Sequence, residues 1–111
     1  MTPTGLLLPT DDMDAAVAFL GGTLGLKQKF RDGDRYCAFE FGGLTLGVVS
    51  GVEKVVSAPA LVLRVEDVAA EAARLTEAGA SLVRPPEEGP HEVRAVLRGA
   101  DGGEIVLSAR R

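Results

Sequence analysis

Hydrophobic residues follow two rhythms along this chain, and the switch between them marks its elements. Gly5-Leu6-Leu7-Leu8-Pro9 is a short apolar run, followed by polar Thr10-Asp11-Asp12 and then by Met13, Ala16, Val17, Leu20 and Leu24 at steps of three and four. This order predicts a buried strand, a helix cap with an acidic first turn, and a helix with one apolar face that ends near Gly25. Beyond Gly25 the period falls toward two over Lys27 to Arg31, Tyr36 to Phe41 and Leu44 to Val48, with Asp32-Gly33-Asp34 and Gly42-Gly43 as turns. Three strands are therefore expected after the first helix.

The same grammar returns about 55 residues later, a spacing that marks an internal structural repeat. In Ala60-Leu61-Val62-Leu63-Arg64-Val65-Glu66-Asp67-Val68, Leu61 corresponds to Leu6 and Asp67 to Asp12, while Leu75 corresponds to Leu20. The second helix carries Val68, Ala72, Leu75 and Ala78 on one face and should stop at Gly79. Strands are expected over Ser81 to Arg84, Glu92 to Arg98 and Glu104 to Ser108, separated by Pro85-Pro86-Glu87-Glu88-Gly89-Pro90 and Gly99-Ala100-Asp101-Gly102-Gly103. The chain of 111 residues thus reads as one α+β domain of two βαβββ modules, about 1–50 and 58–111, joined through Ser50 to Pro59.

Alternation along a strand sorts side chains between a face covered by the helix and an open face. If Gly42-Gly43 forms a two-residue hairpin, Cys37, Phe39, Phe41, Leu44, Leu46 and Val48 share an apolar face that belongs under the helix. Tyr36, Ala38, Glu40, Thr45, Gly47 and Val49 then lie opposite, together with Leu7 and Pro9. In the second module Val93, Ala95 and Leu97 should go under the helix, leaving Val62, Arg64, Glu92, Arg94, Val96, Arg98, Glu104, Val106 and Ser108 on the open face. Charges in the middle of half-buried strands are costly unless paired or used, which singles out Glu40, Arg64, Arg94 and Glu104. One reading pairs the arginines with the glutamates or leaves them on a wet sheet face. The other gives them to a ligand, with arginine suited to a carboxylate or phosphate and glutamate to an amine.

Composition removes several classes of function. Sixteen acidic against twelve basic side chains give a net charge of -4, and no basic run appears, which argues against a nucleic-acid surface. The longest apolar stretches fall far short of the roughly 20 residues that span a bilayer. No basic residue precedes Lys27 and no signal-peptide pattern is present, so a cytoplasmic protein is expected. Cys37 is the only cysteine, which excludes an internal disulfide and is read as a buried thiol. His91, the only histidine, follows Pro90 in a loop and is read as a solvent-facing or hydrogen-bonded residue.

Taken in order, several short stretches resemble the vicinal oxygen chelate superfamily, which includes glyoxalase I, extradiol dioxygenases, and fosfomycin and bleomycin resistance proteins. The carriers are Asp12-Met13-Asp14-Ala15-Ala16, Phe19, Leu24-Gly25-Leu26, Val65-Glu66-Asp67-Val68, Leu75 to Ala80, Arg84-Pro85-Pro86 and Arg98 to Ile105. Two stretches depart from the family pattern: Phe19-Leu20-Gly21 stands where a Phe-Tyr pair is common, and Gly99 to Gly103 replaces an Asp-Pro-Asp-Gly-Asn turn. The resemblance implies a curled mixed sheet around a cleft, of the glyoxalase/bleomycin-resistance type, and commonly a homodimer. It also implies up to four metal-ligating side chains, whose positions fall here at Gly5, Gly47, Ala60 and Val106. None of these can ligate through a side chain.

The expectation is therefore a metal-free protein, without a cofactor, that binds a small molecule and sequesters an antibiotic or a metabolite. Its candidate ligand-binding residues are Tyr36, Glu40, Thr45, Arg64, Arg94, Glu104 and Ser108, with no catalytic or metal residues assigned. One alternative is a lyase, isomerase or dioxygenase that uses Glu40 and Glu104 to hold a metal or to move protons. Another is a regulatory or structural dimer whose cleft is vestigial.

Overall fold

Asp12 and Asp67 perform the same task at equivalent points of the repeat. Each carboxylate accepts a hydrogen bond from a backbone N–H of the following first turn, Ala15 N in one case and Ala70 N in the other, both at 3.0 Å. Each satisfies a donor that a helix start leaves without a partner. The computed structural model describes residues 1–111. No helix in it is long and apolar enough to cross a membrane.

The chain divides into two compact units, Gly5–Pro59 and a second formed by Met1–Thr4 with Ala60–Arg111. The first contains most of strand β1 (Thr2–Pro9), helix α1 (Met13–Val17), a wider π-helical turn (Ala18–Thr23), and strands β2 (Gln28–Asp32), β3 (Tyr36–Phe41) and β4 (Leu44–Val49). The second contains β5 (Ala60–Arg64), α2 (Val68–Glu77), β6 (Ser81–Glu88), β7 (Glu92–Arg98) and β8 (Glu104–Arg110). Thr4, at the head of β1, donates its hydroxyl to the Val62 carbonyl in this second unit.

Both units repeat one strand order, β1-β4-β3-β2 in the first and β5-β8-β7-β6 in the second. In each, the strand before the helix runs parallel to the last strand, and the last three strands pair as antiparallel hairpins. A parallel neighbour requires a long crossover, and the helix supplies it. The Gly42-Gly43 turn opposes Phe41 to Leu44, and both glycines take positive φ, 60° and 84°, as a primed hairpin turn demands.

Three elements differ from the expected pattern. Leu24 does not join the helix's apolar face and is exposed, because the π turn Ala18–Thr23 adds a residue per turn and rotates it out of line. Leu26 packs there instead, its N–H donating to the Leu20 carbonyl. Phe41 and Leu44, at the far end of their hairpin, are each 38% exposed rather than covered. Pro85-Pro86, expected in a loop, lies inside β6. That strand is an edge that pairs only with β7, where missing N–H groups are tolerated, and its register slips on both sides of Arg84.

Each unit closes its own core between helix and sheet. In the first, Met13, Leu20, Cys37, Phe39, Leu46 and Val48 are buried together, with Leu6 and Leu8 from β1 packed against them. In the second, Val65, Val68, Ala72, Ala95, Leu97, Leu107 and Ala109 form the core. The second helix ends as Gly79 adopts φ 111°, with Ala80 N donating to Leu75 O and Gly79 N to Thr76 O, a pair of bonds that satisfies its last carbonyls.

Burial decides the cost of truncation. Phe39→Ala should lower the free energy of unfolding in urea by about 3–5 kcal/mol, because it empties a ring-sized space in a sealed core. Leu24→Ala, which removes an exposed side chain, should stay within about 0.5 kcal/mol of the parent.

Candidate functional site

The parity of each strand leaves a second face away from the helix, and the two modules use it differently. In the first module, Leu7, Gly47 and Ala38 stand in register across β1, β4 and β3, and Val49 and Tyr36 form the adjacent row. A Cβ placed on Gly47 would lie 3.0 Å from Leu7 Cδ2 and 3.0 Å from Tyr36 Cε1. The leucine and the tyrosine ring thus occupy the volume a side chain at this position would need. Tyr36 also meets Phe30 with ring centroids 6.2 Å apart.

Thr45 and Glu40, the other expected binding residues of this module, form a polar cluster at the hairpin end. Lys29 Nζ donates to Thr45 Oγ1 at 2.9 Å and approaches Glu40 Oε2 at 3.4 Å, while Glu40 Oε1 accepts the Gly43 N–H at 3.0 Å. These groups serve the turn and its flanking strands. Lys29 was invisible as a member of this cluster from sequence, because a register shift between Gln28 and Phe30 turns it onto this face.

The second module gathers the remaining candidates. Arg64 on β5 is in register with Ser108 on β8, which is in register with Arg94 on β7. Ser108 is 8% exposed, and its hydroxyl donates to Glu92 Oε2 at 2.8 Å; the Glu104 side chain, 6% exposed, is also enclosed. Glu92 Oε1 lies 3.4 Å from Arg94 Nε. One row further along, Glu92 is paired in register with Arg110. Toward the other end, past the apolar pair Val96 and Val106, Glu104 forms a 3.0 Å ion pair with Arg98.

Four of the seven expected residues therefore stand on one sheet face, with Arg64, Ser108 and Arg94 as adjacent members of one row and Glu104 held apart. Arg64, for which an ion pair with Glu40 or Glu104 was one expectation, forms no ion pair and is exposed. Sequence reasoning placed Glu92 on this face without assigning it a role. It ended the last strand at Ser108 and so missed Arg110, which two further residues of alternation would have added.

The four positions that the family pattern reserves for metal ligands do not fit an ion. At Gly5 a Cβ would fall 1.8 Å from the Thr45 carbonyl oxygen, so no side chain can be carried there at all. Gly47 lies under Leu7 and Tyr36, and Ala60 and Val106 are 2% and 1% exposed hydrocarbon. Nowhere do three or more His, Cys, Asp or Glu side chains converge as a ligand set. Cys37 is fully buried in the helix-side core; burial pushes its thiol pKa up, and nearby Arg31 offsets this only in part.

A model of the glyoxalase-like domain matches residues 6–108 of the chain. An uncharacterised protein of Mycolicibacterium smegmatis is 30% identical over 103 residues, covering 92% of this chain and 88% of its own. Among solved structures, a glyoxalase/bleomycin resistance protein/dioxygenase superfamily member from Vibrio splendidus superposes with a TM-score of 0.72 at 17% identity, covering 94% of this chain and 95% of that one. A Legionella pneumophila structure described as an NAD-dependent benzaldehyde dehydrogenase superposes with a TM-score of 0.76 at 15% identity, covering 96% and 98%. At these identities the two structures establish the shared fold and nothing finer.

Two outcomes test this geometry. Gly5→Ala should destabilise by about 3 kcal/mol or more, since backbone must move to admit the methyl, whereas Gly42→Ala in its open turn should cost about 1 kcal/mol, both read from urea midpoints. The raised Cys37 pKa means that the folded state favours the protonated thiol. Its stabilising effect is complete below the unfolded thiol pKa, about 8.5, and is lost as pH rises through the higher folded value. Relative to Cys37→Ala, the parent should therefore lose stability between neutral and alkaline pH.

Proposed function

The chain belongs to the glyoxalase-like domain family, and from that membership we propose that it is a binding protein which captures a small molecule, an antibiotic or a metabolite, without a protein-bound metal. The observation that carries this reading is the state of the four ligand positions. Two are glycines with the space for a side chain already taken by a neighbouring backbone or by Leu7 and Tyr36, and two are buried hydrocarbon.

What the chain offers instead is recognition chemistry. On the second module, Arg64 and Arg94 present hydrogen-bond donors on either side of Ser108, whose hydroxyl donates to the neighbouring acceptor Glu92. On the first, Tyr36 supplies an aromatic edge and a hydroxyl. Arginine guanidinium groups and serine and tyrosine hydroxyls orient a ligand by directed hydrogen bonds and need no ion to do so. The proposal extends to a homodimer: β2 and β6 are sheet edges with unpaired backbone groups, which a second copy would protect.

Binding and metal content together test this reading. Protein dialysed first against nickel, zinc, manganese and iron salts and then against buffer should retain far less than one equivalent of any of them. A panel of antibiotics and metabolites screened by thermal shift and calorimetry should contain ligands that raise Tm and are recovered chemically unchanged. A stoichiometric ion that survives dialysis and disappears in Glu104→Gln, or a ligand recovered as a product, would overturn the proposal. So would a broad panel in which nothing shifts stability.

A further inference from the structure

The open face of the second module holds more positive charge than its local carboxylates balance, in a chain whose net charge is -4. Three arginines surround Ser108 there: Arg64 beside it on β5, Arg94 beside it on β7, and Arg110 two residues on along β8 itself. Alternation puts all four side chains on one face, since Leu107 and Ala109 turn into the helix-side core. Two carboxylates border the cluster: Glu92, bonded to Ser108 Oγ and 3.4 Å from Arg94 Nε, and Glu87, in register with Arg94 on β6 and 3.3 Å from Arg84 Nε. Neither Arg64 nor Arg110 has an ion pair or side-chain hydrogen bond.

We infer that this cluster is an oxyanion subsite that receives a carboxylate or phosphate group of the bound molecule, with Arg64 as its principal contact and Ser108 and Arg110 beside it. The inference rests on the proposed small-molecule binding and specifies the charge of what is bound. Neighbouring strands are about 4.8 Å apart, so the Arg64 and Arg94 backbones flank Ser108 at about 10 Å, a span that two extended guanidinium side chains can close around one anionic group. Arg64 is available without breaking any existing pair. Ser108 gives its proton to Glu92 and is a small spacer between the two arginines, and Glu92 keeps Arg94 aligned when no ligand is present.

The uncommitted arginines matter because most other exposed arginines of the chain are engaged. Arg31, Arg35, Arg74, Arg84, Arg98 and Arg111 all contact carboxylates within 3.4 Å. Two unengaged arginines on one sheet face, beside the chain's one buried serine, depart from that pattern. A guanidinium in such a position binds a planar carboxylate through two parallel hydrogen bonds and selects it over a neutral amide.

Arginine side-chain NMR on the intact protein tests this directly. Titrations with sodium butyrate, sodium phosphate and sodium chloride are compared at equal ionic strength, following the Nε–H signals of Arg64, Arg94 and Arg110. Saturable shifts confined to these arginines in the butyrate or phosphate arm, but not in chloride, are expected, and the stronger arm identifies the group. Arg64→Gln should weaken that binding by about tenfold or more, as loss of a charge-assisted hydrogen bond does. Arg64→Lys should fall between, and Arg35→Gln, remote in the Asp32 turn, should change nothing. Arg64 is exposed, so the unchanged backbone spectrum of its variants will show that the fold is intact. Linear shifts in all three salts, or saturation that survives Arg64→Gln, would overturn the subsite. If a neutral ligand from the stability panel binds the Arg64→Gln variant as tightly as the parent, the subsite fails while metal-free binding stands. A stoichiometric metal with a functioning anion site gives the reverse result.

Discussion

Parallel pairing of the first and last strands is the contact on which each module depends. It joins residues some forty positions apart, Gly5 to Thr45 and Leu61 to Ile105, across a helical crossover. Such long-range pairing is entropically expensive and is repaid only when the helix seals one face of the sheet. Sealing that face then fixes the parity of every strand. Because a shift of one residue would exchange the faces, Leu6 and Leu8 go to the core and Leu7 to the open side, while Leu107 and Ala109 go to the core and Ser108 to the open side. The chemistry available on the open face is decided by core packing on the other.

That coupling also fixes what occupies the positions that the family pattern reserves for ligands. Gly5 lets β1 approach β4 so closely that a Cβ would overlap the Thr45 carbonyl. Gly47 makes room for Leu7 and the Tyr36 ring from neighbouring strands. Backbone approach and side-chain infill occupy space that ligating side chains would need, and they do so while strengthening strand contacts. A side chain at Gly5 would require the strands to part, whereas one at Gly47 would require the Leu7 and Tyr36 side chains to shift.

Much of this was legible in the chain because the repeat is written twice. The Asp12 and Asp67 caps, the Gly42-Gly43 turn and the alternating runs carry their own local physics, and the structure places strands and helices where those signals lie. The misses have one cause in common: tertiary context overrode a local rule. A π turn displaced Leu24, an edge position admitted Pro85-Pro86 into a strand, and the last strand ran on past Ser108 to Arg110. The open face was harder to read because parity assigns a side but not a partner. Glu40 lies on the expected side yet is taken up by Lys29 and the Gly43 N–H, and Glu104 is taken up by Arg98.

Partner assignment is also what separates Arg64 from the other charged residues. A surface ion pair is worth little in water, about 0–1 kcal/mol, so the pairs at Arg31, Arg35, Arg74 and Arg98 do not account for the fold's stability. Their effect is to leave those guanidinium groups with a nearby carboxylate competitor for any incoming anion. Arg64 and Arg110 form no ion pair, and of the two carboxylates nearest them Glu92 is divided between the Ser108 hydroxyl and Arg94 while Glu87 contacts Arg84. An anion arriving there meets donors that need not first be released. In an acidic protein, where long-range steering works against anions, selectivity for one must come from such short-range geometry. In the proposed subsite that geometry comes from the row Arg64–Ser108–Arg94, which three strands hold in register.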